Sequence, residues 1–422
     1  MTHFIRHRAS FARKFVARAA VACAFASALN ACTNSSTDDG KNEITIGLLL
    51  PFTGASSGTA SNFERAALYA ADRVNDGGGI YGKKIRILSA DTHSDVASAQ
   101  SSAELLVRSG AVAVVGPESA DIAAEIGPYL SAQGVAFVSP VVGAADDTTV
   151  DCSSPWFRLA PSAQALGESL AKQAIAEGVS SITLMYASTA YDEALRDALS
   201  ARFISLKGTV KLTVALDPNA QSYGKEVDAA QSANADAIVL TSSPRGGAIV
   251  VNEFDALSEI TPRWFLCPQL KTDLLVQNVA PDALEGARGV APKIYDTTTD
   301  FPLAFGQRWQ GDTPLEGAFF YYDSIALLAF GLTRAEAGVM ADGGAPLDLN
   351  ALNAGIRAAA APPGEAAGWN EIERGLSRGQ TGTSIYYSGL TGPLLFNTCG
   401  VRALGSTSTW EVSGGRIIDD AD

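Results

Sequence analysis

The alternation of short apolar segments with amphipathic ones limits what this chain can fold into more than any other feature. Residues 44–50 form a continuous apolar run, which is typical of a strand buried on both faces of a parallel sheet. Residues 61–75 follow, and Phe63, Ala67 and Val74 lie on one face of the predicted helix. The same order of strand and helix continues through two series, which predicts an α/β fold of two doubly wound lobes with parallel sheets.

Length and charge narrow the class of protein further. The chain has 422 residues, of which 47% are hydrophobic, and this length fits two domains of ordinary size better than one core. Its net charge of −14 repels a phosphate backbone, so we expect no nucleic-acid partner. Beyond the N-terminus no apolar run approaches about 18 residues without charges, so the sequence predicts no transmembrane helix.

The N-terminal segment has the order of a secretory signal. Five Lys and Arg residues lie between Arg6 and Arg18, and an apolar run of 11 residues covers 19–29. Such a run is too short to cross a hydrocarbon layer of about 30 Å as a helix. We therefore predict that residues 1–31 are a signal peptide that is removed.

The end of this segment carries a second signal. Leu29-Asn30-Ala31-Cys32 resembles the lipobox of bacterial lipoproteins, and the resemblance implies cleavage before Cys32 and lipidation of its thiol. Residues 32–42 are then a polar linker to a lipid anchor, which places the chain outside the cytoplasm, in the periplasm. An ordinary cleaved signal followed by an incidental cysteine is the alternative interpretation.

Three cysteines remain once the signal and the lipidated residue are set aside. Cys152 and Cys399 lie in polar loops, whereas Cys267 ends an apolar strand and has the surroundings of a buried thiol. An oxidising compartment permits one disulfide among the three. The loops favour the pair Cys152–Cys399, although a sequence alone fixes no connectivity.

Several patterns associated with catalysis lack the partners they need. Residues 54–58 match G-x-S-x-G around Ser56. In hydrolases with this motif the catalytic histidine is the last triad residue along the chain, and here no histidine follows His93. One histidine beyond the signal excludes a conventional His/Cys zinc site, and no dinucleotide or phosphate-loop motif follows a strand. We expect no enzymatic activity, no cofactor and no metal.

Six segments, taken in order, resemble the type I periplasmic binding proteins of the Leu/Ile/Val-binding branch. Residues 75–82 read NDGGGIYG, like the N-x-x-G-G-I-x-G of that family, and residues 46–54 read IGLLLPFTG, like its first strand and turn. The other segments are 115–119, 138–140, 292–296 and 388–396. Together they span nearly the whole chain after the signal.

The resemblance implies two lobes joined by three crossings of the chain, near Arg158, Pro292 and Gly392. One lobe then comprises residues 43–158 plus 293–392, and the other comprises 159–292 plus 393–422. A small-molecule solute binds between them, beyond the carboxyl ends of the strands, and a hinge motion closes the lobes around it. An ABC permease recognises the closed form, and we expect a monomer.

The resemblance also implies which positions line the cleft. Those of the first lobe are Thr59, Glu118, Ser119, Ala120, Val141, Val142, Gly143 and Tyr322. Those of the second lobe are Tyr191, Ser243, Arg245 and Gln269.

Two departures bear on the identity of the solute. Val141, Val142 and Gly143 offer no side-chain hydroxyl where the family holds the carboxylate and ammonium of an amino acid, and Gln269 is neutral where amino-acid binders commonly use Glu. An unpaired buried charge is strongly destabilising. The sequence therefore disfavours a standard α-amino acid and leaves a small polar or amino-acid-like solute.

Four side chains could supply recognition, and each has an ordinary structural alternative. Glu118 could restore a negative charge, or it is a solvated loop carboxylate. Arg245 could clamp a carboxylate through two hydrogen bonds, or it is a solvated arginine before a helix. Tyr191 and Tyr322 could stack on the solute, or they pack in the lobe cores.

Three functions fit these features. The first is a lipid-anchored solute-binding protein that feeds an ABC importer. The second is a ligand-free envelope lipoprotein that regulates a cell-wall enzyme, and the third is a sensory binding subunit. Within the fold, residues 338–383 give no readable pattern, and residues 394–396 predict a short strand.

Overall fold

The computed structural model describes residues 42–54, 56–141, 152, 156–257, 262–295, 300–341, 347–402 and 407–420. Its strands are β1 (Glu43–Leu50), β2 (Lys84–Asp91), β3 (Ala111–Val115), β4 (Ala136–Ser139), β5 (Phe157–Arg158), β6 (Ser181–Ala187), β7 (Thr209–Leu216), β8 (Ala237–Thr241), β9 (Trp264–Leu266), β10 (Arg288–Pro292), β11 (Glu365–Gly368), β12 (Ile385–Ser388), β13 (Thr407–Ser413) and β14 (Arg416–Asp419). Its helices are α1 (Ala60–Asp76), α2 (Val96–Arg108), α3 (Ala120–Ala132), α4 (Ala163–Ala176), α5 (Ala190–Ser205), α6 (Gly224–Ser232), α7 (Pro244–Leu257), α8 (Asp273–Gln277), α9 (Asp300–Arg308), α10 (Glu316–Ala341), α11 (Leu349–Ala359) and α12 (Ile372–Gln380). Short 3₁₀ turns cover Ser57–Thr59, Pro268–Leu270 and Trp369–Glu371.

Five strands form the sheet of the first lobe, in the order β2-β1-β3-β4-β5. The neighbours from β1 to β5 pair in parallel. Side chains of β1 alternate between two cores: Ile46, Leu48 and Leu50 pack beneath α1 and α10, whereas Leu49 packs beneath α2 and α3. Residues 46–50 of the strand are all apolar or glycine because both faces of the strand are buried there, as the sequence predicts.

Seven strands form the sheet of the second lobe, in the order β14-β13-β10-β9-β8-β6-β7. The strands from β10 to β7 pair in parallel, whereas β13 runs antiparallel to both β10 and β14. Gly289 of β10 is the register partner of Trp410 of β13, and a Cβ at Gly289 would lie 2.4 Å from the buried indole. The missing side chain therefore lets the C-terminal ribbon join this sheet.

Separate hydrophobic cores define the two lobes. Residues of β1 and β3 share a core with α10, which is fully buried at Tyr321 and Leu328. Residues of β6, β8 and β9 share another with Trp410. The residue bounds of the lobes stay a prediction. Among the described residues, no helix combines the length and the apolar character that crossing a membrane requires.

Side-chain caps explain where several helices begin. Asp95, Ser119, Ser162 and Thr189 each precede a helix in an extended conformation, and each side chain accepts a hydrogen bond from the backbone N–H three residues later. Such a cap satisfies one of the free N–H groups of the first turn and stabilises the helix by about 1 kcal/mol.

The C-terminal third differs most from the sequence-based expectation. The unreadable stretch contains α11, β11 and α12, and Asp348 caps the first turn of α11 by accepting from the Ala351 N–H. The strand predicted at 394–396 is wrong. Phe396 forms only an isolated bridge to Arg402, and the preceding two residues pair with no strand.

Candidate ligand-binding site

The parallel strands of the first lobe end at one edge of their sheet. Two of the predicted ligand-binding residues, and a threonine near them, lie just beyond this edge. Thr92 follows β2, Glu118 follows β3, and Val141 follows β4. Gly116 has a φ of +118°, and a Cβ there would lie 2.1 Å from the carbonyl oxygen of Leu49. Only glycine fits this close approach, which fixes where the chain leaves β3 and so places Glu118.

Glu118 is a half-buried acid at this edge. Its Oε1 accepts a hydrogen bond of 2.9 Å from the Thr92 hydroxyl, whereas its buried Oε2 has no partner among the described residues. Burial raises the pKa of Glu118, the Thr92 hydrogen bond opposes that shift, and the nearby Asp91 adds to it. The carboxyl group can therefore make one more hydrogen bond, at Oε2.

An apolar surface, formed by Phe63, Tyr321 and Val141, lies beside Glu118. Tyr321 stacks on Phe63 with ring centroids 4.8 Å apart. Gly317 leaves room for this pair, since a Cβ there would lie 2.4 Å from Phe63 and 3.2 Å from Val141. The buried Tyr321 hydroxyl has no hydrogen-bond partner among the described residues, and burial together with Glu118 raises its pKa well above the usual value. Two polar atoms that no described residue pairs with thus lie next to an apolar surface.

We expect Glu118→Gln to gain thermal stability relative to the wild type as the pH rises. Burial raises the folded-state pKa of Glu118, so ionisation costs stability as the pH passes from the ordinary glutamate value through the folded value. Glutamine keeps a carbonyl acceptor for Thr92 and does not ionise. Melting temperatures of both ligand-free proteins between about pH 4 and about pH 8 test this expectation. A difference that is constant with pH would contradict it.

The second lobe presents its own edge of strand ends. Asp192, at the start of α5, is 5% exposed and accepts a hydrogen bond of 2.7 Å from Thr189, and burial raises its pKa. Burial and the nearby Asp192 raise the pKa of the Cys267 thiol to about 12, so this cysteine is unreactive. Burial, with Cys267 and Asp192, also raises the pKa of Tyr191. Tyr191 is half-buried: it packs against the core of the second lobe and keeps part of its surface exposed.

Three other predicted positions of the second lobe are exposed. The Ser243 hydroxyl accepts from the Gly246 N–H at 3.2 Å and so caps α7. Arg245, in the first turn of α7, donates to the side chain of Gln221. Gln269 lies in the 3₁₀ turn after β9. All three follow the carboxyl ends of strands, at the edge predicted to face the solute.

Thr59, Ser119 and Ala120 also lie near the strand ends of the first lobe. Thr59 is the last residue of the turn before α1, and its hydroxyl lies 3.4 Å from the Ser56 carbonyl oxygen, to which it donates. The Ser119 hydroxyl accepts from the Ile122 N–H at 3.2 Å, and Ala120 is the first residue of α3. The Ser119 hydroxyl therefore caps a helix and keeps its own proton for a further hydrogen bond.

Tyr322 and its neighbour Tyr321 are both fully buried, but only Tyr322 has a hydrogen-bond partner among the described residues. Tyr322 is fully buried, donates to the Trp369 carbonyl at 2.9 Å, and packs edge-on against Phe301. Adjacent residues of a helix point about 100° apart, so only one of the two can reach the edge near Glu118. We therefore leave Tyr322 out of the proposed ligand set and include Tyr321. Three further predicted positions, Val142, Gly143 and the lipidation site Cys32, lie outside the described residues.

Cys152 and Cys399 form a disulfide with Cα atoms 4.3 Å apart, which is the pairing that the sequence favours. Cys267 is a free and buried thiol. The disulfide joins the segment before β5 to the segment that leads into β13. It therefore links two of the three stretches in which the chain is predicted to cross between lobes.

Backbone hydrogen bonds join all three of these stretches. The Arg158 N–H donates to the Gly400 carbonyl at 2.8 Å, which connects the first stretch to the third. The Tyr295 N–H donates to the Leu390 carbonyl at 2.8 Å, which connects the second to the third. The predicted crossings thus share one hydrogen-bonded hinge region.

A buried ion network reinforces the hinge region. Arg402 is 4% exposed and donates to the carbonyl oxygens of Leu159 and Pro393 at 3.0 Å each, and to that of Thr391. Burial lowers the pKa of Arg402, and the nearby Asp323 opposes that shift. Asp323, on α10, accepts from both the N–H and the hydroxyl of Thr391. Side chains of both charges therefore fix the third stretch against the first lobe.

One ion pair connects the two lobes directly. Lys271 follows β9 of the second lobe, and its Nζ lies 3.3 Å from Oε2 of Glu316, the first residue of α10 in the first lobe. The same Nζ lies 2.6 Å from Oδ1 of Asp419, on β14 of the second lobe. Burial lowers the pKa of Lys271, but the two carboxylates outweigh burial, so the pKa lies above its ordinary value. Sequence reasoning missed this pair, because a single lysine in a loop gives no signal of its partners.

Metal binding finds no support at these edges. Among the residues that the structure describes, no group of three or more His, Cys, Asp and Glu side chains could hold a metal ion.

Two doubly wound lobes, with polar and aromatic groups at their strand ends and a shared hinge region, define the class of two-lobed binding proteins. A family model described as periplasmic binding protein matches residues 43–374. The chain therefore belongs to the periplasmic binding protein family.

Known proteins agree with this assignment. The chain is 34% identical over 106 residues to the Leu/Ile/Val-binding protein BraC3 of Rhizobium johnstonii, an alignment that covers 25% of this chain and 29% of BraC3. It is 27% identical over 219 residues to the chemotactic signal transduction system substrate-binding protein BasB of Halobacterium salinarum, covering 50% of this chain and 52% of BasB. Less than two thirds of either relative is matched.

A solved structure shows the same fold over a longer span. The leucine-binding protein LivK of Thermotoga maritima superposes with a TM-score of 0.73 at 18% identity, covering 90% of this chain and 98% of LivK. The predicted type I periplasmic binding protein fold is thereby confirmed.

Proposed function

We propose that this chain is a lipid-anchored periplasmic protein that captures a small polar or amino-acid-like solute between its lobes and delivers it to an ABC importer. The observation that carries the proposal is a pair of polar atoms without a hydrogen-bond partner in the described part of the chain, Glu118 Oε2 and the Tyr321 hydroxyl, beside the apolar surface at the strand ends of the first lobe. Buried polar groups normally find partners, so a solute that hydrogen-bonds there would satisfy both.

Closure of the lobes is the step that couples binding to transport. A solute in contact with both lobes stabilises the closed arrangement, because it gains contacts there that are absent when the lobes are apart. The joined crossings supply a hinge about which such a motion can occur. A permease that recognises only the closed arrangement then receives solute-loaded protein in preference to empty protein.

Residues at the strand ends of the two lobes limit the chemical class of the solute. Glu118 can accept a hydrogen bond from an N–H or O–H group, and Tyr321 can donate one to a carbonyl or carboxylate oxygen. The relative BraC3 is a Leu/Ile/Val-binding protein, which supports an amino-acid-like solute. Val141 and the exposed Gln269 offer no charge for a zwitterion, which favours a relative of amino acids, such as an amide or an apolar acid.

A thermal-shift screen of the mature protein tests this proposal. The panel contains amino acids, carboxamides, small carboxylates and aromatic acids, and isothermal calorimetry measures the Kd of each hit. A solute at a hundredfold excess over its Kd stabilises the protein by about 2.7 kcal/mol, which is readily detected. Absence of a shift with every class, in protein shown to be folded, would contradict solute binding.

We expect Tyr191→Ala to weaken binding of the solute found in that screen by about tenfold, through loss of an aromatic contact of roughly 1.4 kcal/mol. Calorimetry on the variant and the wild type measures the change. Tyr386→Ala is the matched control, since that tyrosine is also half-buried but lies on β12, away from the strand ends. An unchanged Kd for Tyr191→Ala in folded protein would remove this residue from the site.

A sensory role is the second candidate, and the relative BasB supports it, since that protein belongs to a chemotactic signal transduction system. Both roles require solute binding, so the screen does not separate them. Deletion of the gene does: a transport protein is needed for uptake of the radiolabelled solute, whereas a sensory subunit is needed only for the behavioural response to it.

A further inference from the structure

Lys271 forms ion pairs with a carboxylate of each lobe. Only 13% of its side chain is exposed, and its Nζ lies between one carboxylate of each lobe. Asp419 belongs to β14 of the same sheet as β9, which precedes Lys271, so this contact is internal to the second lobe. Glu316 begins α10, whose buried residues belong to the core of the first lobe. The Lys271–Glu316 contact therefore exists only while the two lobes are together.

The two carboxylates respond differently when the lobes separate. Lys271 keeps Asp419, at 2.6 Å, and so retains a counter-charge. Glu316 lies in the first turn of its helix, where the positive end of the helix dipole favours a carboxylate, and 26% of its side chain is exposed even with the lobes together. Burial in this arrangement raises the pKa of Glu316, and the nearby Lys271 opposes that shift. Separation therefore leaves no charge buried and unpaired, which makes the contact reversible.

The contact also lies next to the proposed solute site. Glu316 directly precedes Gly317, whose missing Cβ makes room for Phe63 beside Tyr321. Lys271 lies two residues after Gln269, at the strand ends of the second lobe. An ion pair at this position closes the rim of the cleft without occupying the site itself.

We propose that Lys271 is a positioning residue that latches the lobes, pairing with Glu316 in the closed arrangement and with Asp419 alone in the open one. The latch rests on the proposed function only in requiring lobes that move. It sets the balance between closed and open protein before any solute arrives. A solute then needs to supply less differential binding energy to complete closure.

Spin-label distances in the ligand-free mature protein test the latch. Nitroxide labels on Ser101→Cys and Ala201→Cys place one probe on an exposed residue of each lobe. Double electron–electron resonance then gives the populations of short and long inter-lobe distances. We expect Lys271→Met to lower the ratio of closed to open protein by about fivefold, the scale of one partly exposed ion pair.

Two further variants separate a latch from a general effect of charge. Asp419→Asn removes the partner within the second lobe and should leave the closed population equal or larger, since Lys271 then has Glu316 alone. The exchange Lys271→Glu with Glu316→Lys should restore closure that either substitution alone reduces.

Two results would overturn the proposed latch. An inter-lobe distance distribution that Lys271→Met leaves unchanged, including one in which the wild type is wholly open, overturns the latch. So does a charge exchange that closes no better than either single variant in folded protein. Because no solute is used, a negative result in the thermal-shift screen has no bearing on this experiment.

Discussion

Replacing Asp323 by alanine should lower the free energy of unfolding by about 3–5 kcal/mol. The carboxylate is fully buried and accepts four hydrogen bonds: from the Tyr387 hydroxyl at 2.6 Å, the Leu390 N–H at 2.9 Å, and the N–H and hydroxyl of Thr391 at 2.8 and 2.7 Å. Burial raises the pKa of Asp323, and these donors oppose that shift. Alanine would leave four buried donors unpaired and deprive Arg402 of its nearby counter-charge.

Urea denaturation followed by tryptophan fluorescence measures this loss. Asp323→Asn should fall between alanine and the wild type, because it keeps one carbonyl oxygen but points an N–H₂ group at neighbouring donors. Asp228→Ala on α6 is the matched control, since that residue is exposed and should change stability by no more than about 0.5 kcal/mol. A loss for Asp323→Ala as small as that of the control would show that the hinge network contributes nothing to stability.

This network also shows what the sequence could predict and what it could not. Strands and helices were predictable wherever burial leaves a pattern of apolar residues, as in β1, whose two buried faces give a continuous apolar run at residues 46–50. No such pattern marks Asp323 and Arg402, because they bind single polar groups, several of which, such as the Leu390 N–H and the Leu159 carbonyl, lie far away in the chain. The spacing of apolar residues indicates which face of an element is buried, but it does not indicate which polar groups meet within the core.

The candidate site divides in the same way. Glu118 could be placed from sequence, because a residue after a parallel strand lies at the edge where ligands bind in such sheets. Tyr321 could not be separated from Tyr322, since the orientation of two adjacent helical residues depends on how α10 packs against α1. The role of Lys271 could not be predicted, because its ion pair with Glu316 depends on how the two lobes are arranged, and no local sequence pattern indicates that arrangement.

Loss of the Cys152–Cys399 disulfide should destabilise the protein by about 3–5 kcal/mol, the second large effect that we expect. The bond closes a loop with a sequence separation of 247, and restricting the unfolded chain over such a loop is worth about 5 kcal/mol in the chain-entropy estimate. The folded hinge should persist, because the Arg158–Gly400 hydrogen bond and the contacts of Arg402 remain. The expected change is therefore in stability rather than in fold.

Single and double substitutions reveal whether the effect belongs to the bond. Cys152→Ser and Cys399→Ser each remove the same cross-link, so the double variant should lose no more stability than either single one in urea denaturation. Reducing the wild type should reproduce that loss, and reductant should leave the variants unchanged. If instead the two single losses add in the double variant, the serines act through local packing, and the cross-link contributes little to holding the first and third crossings together.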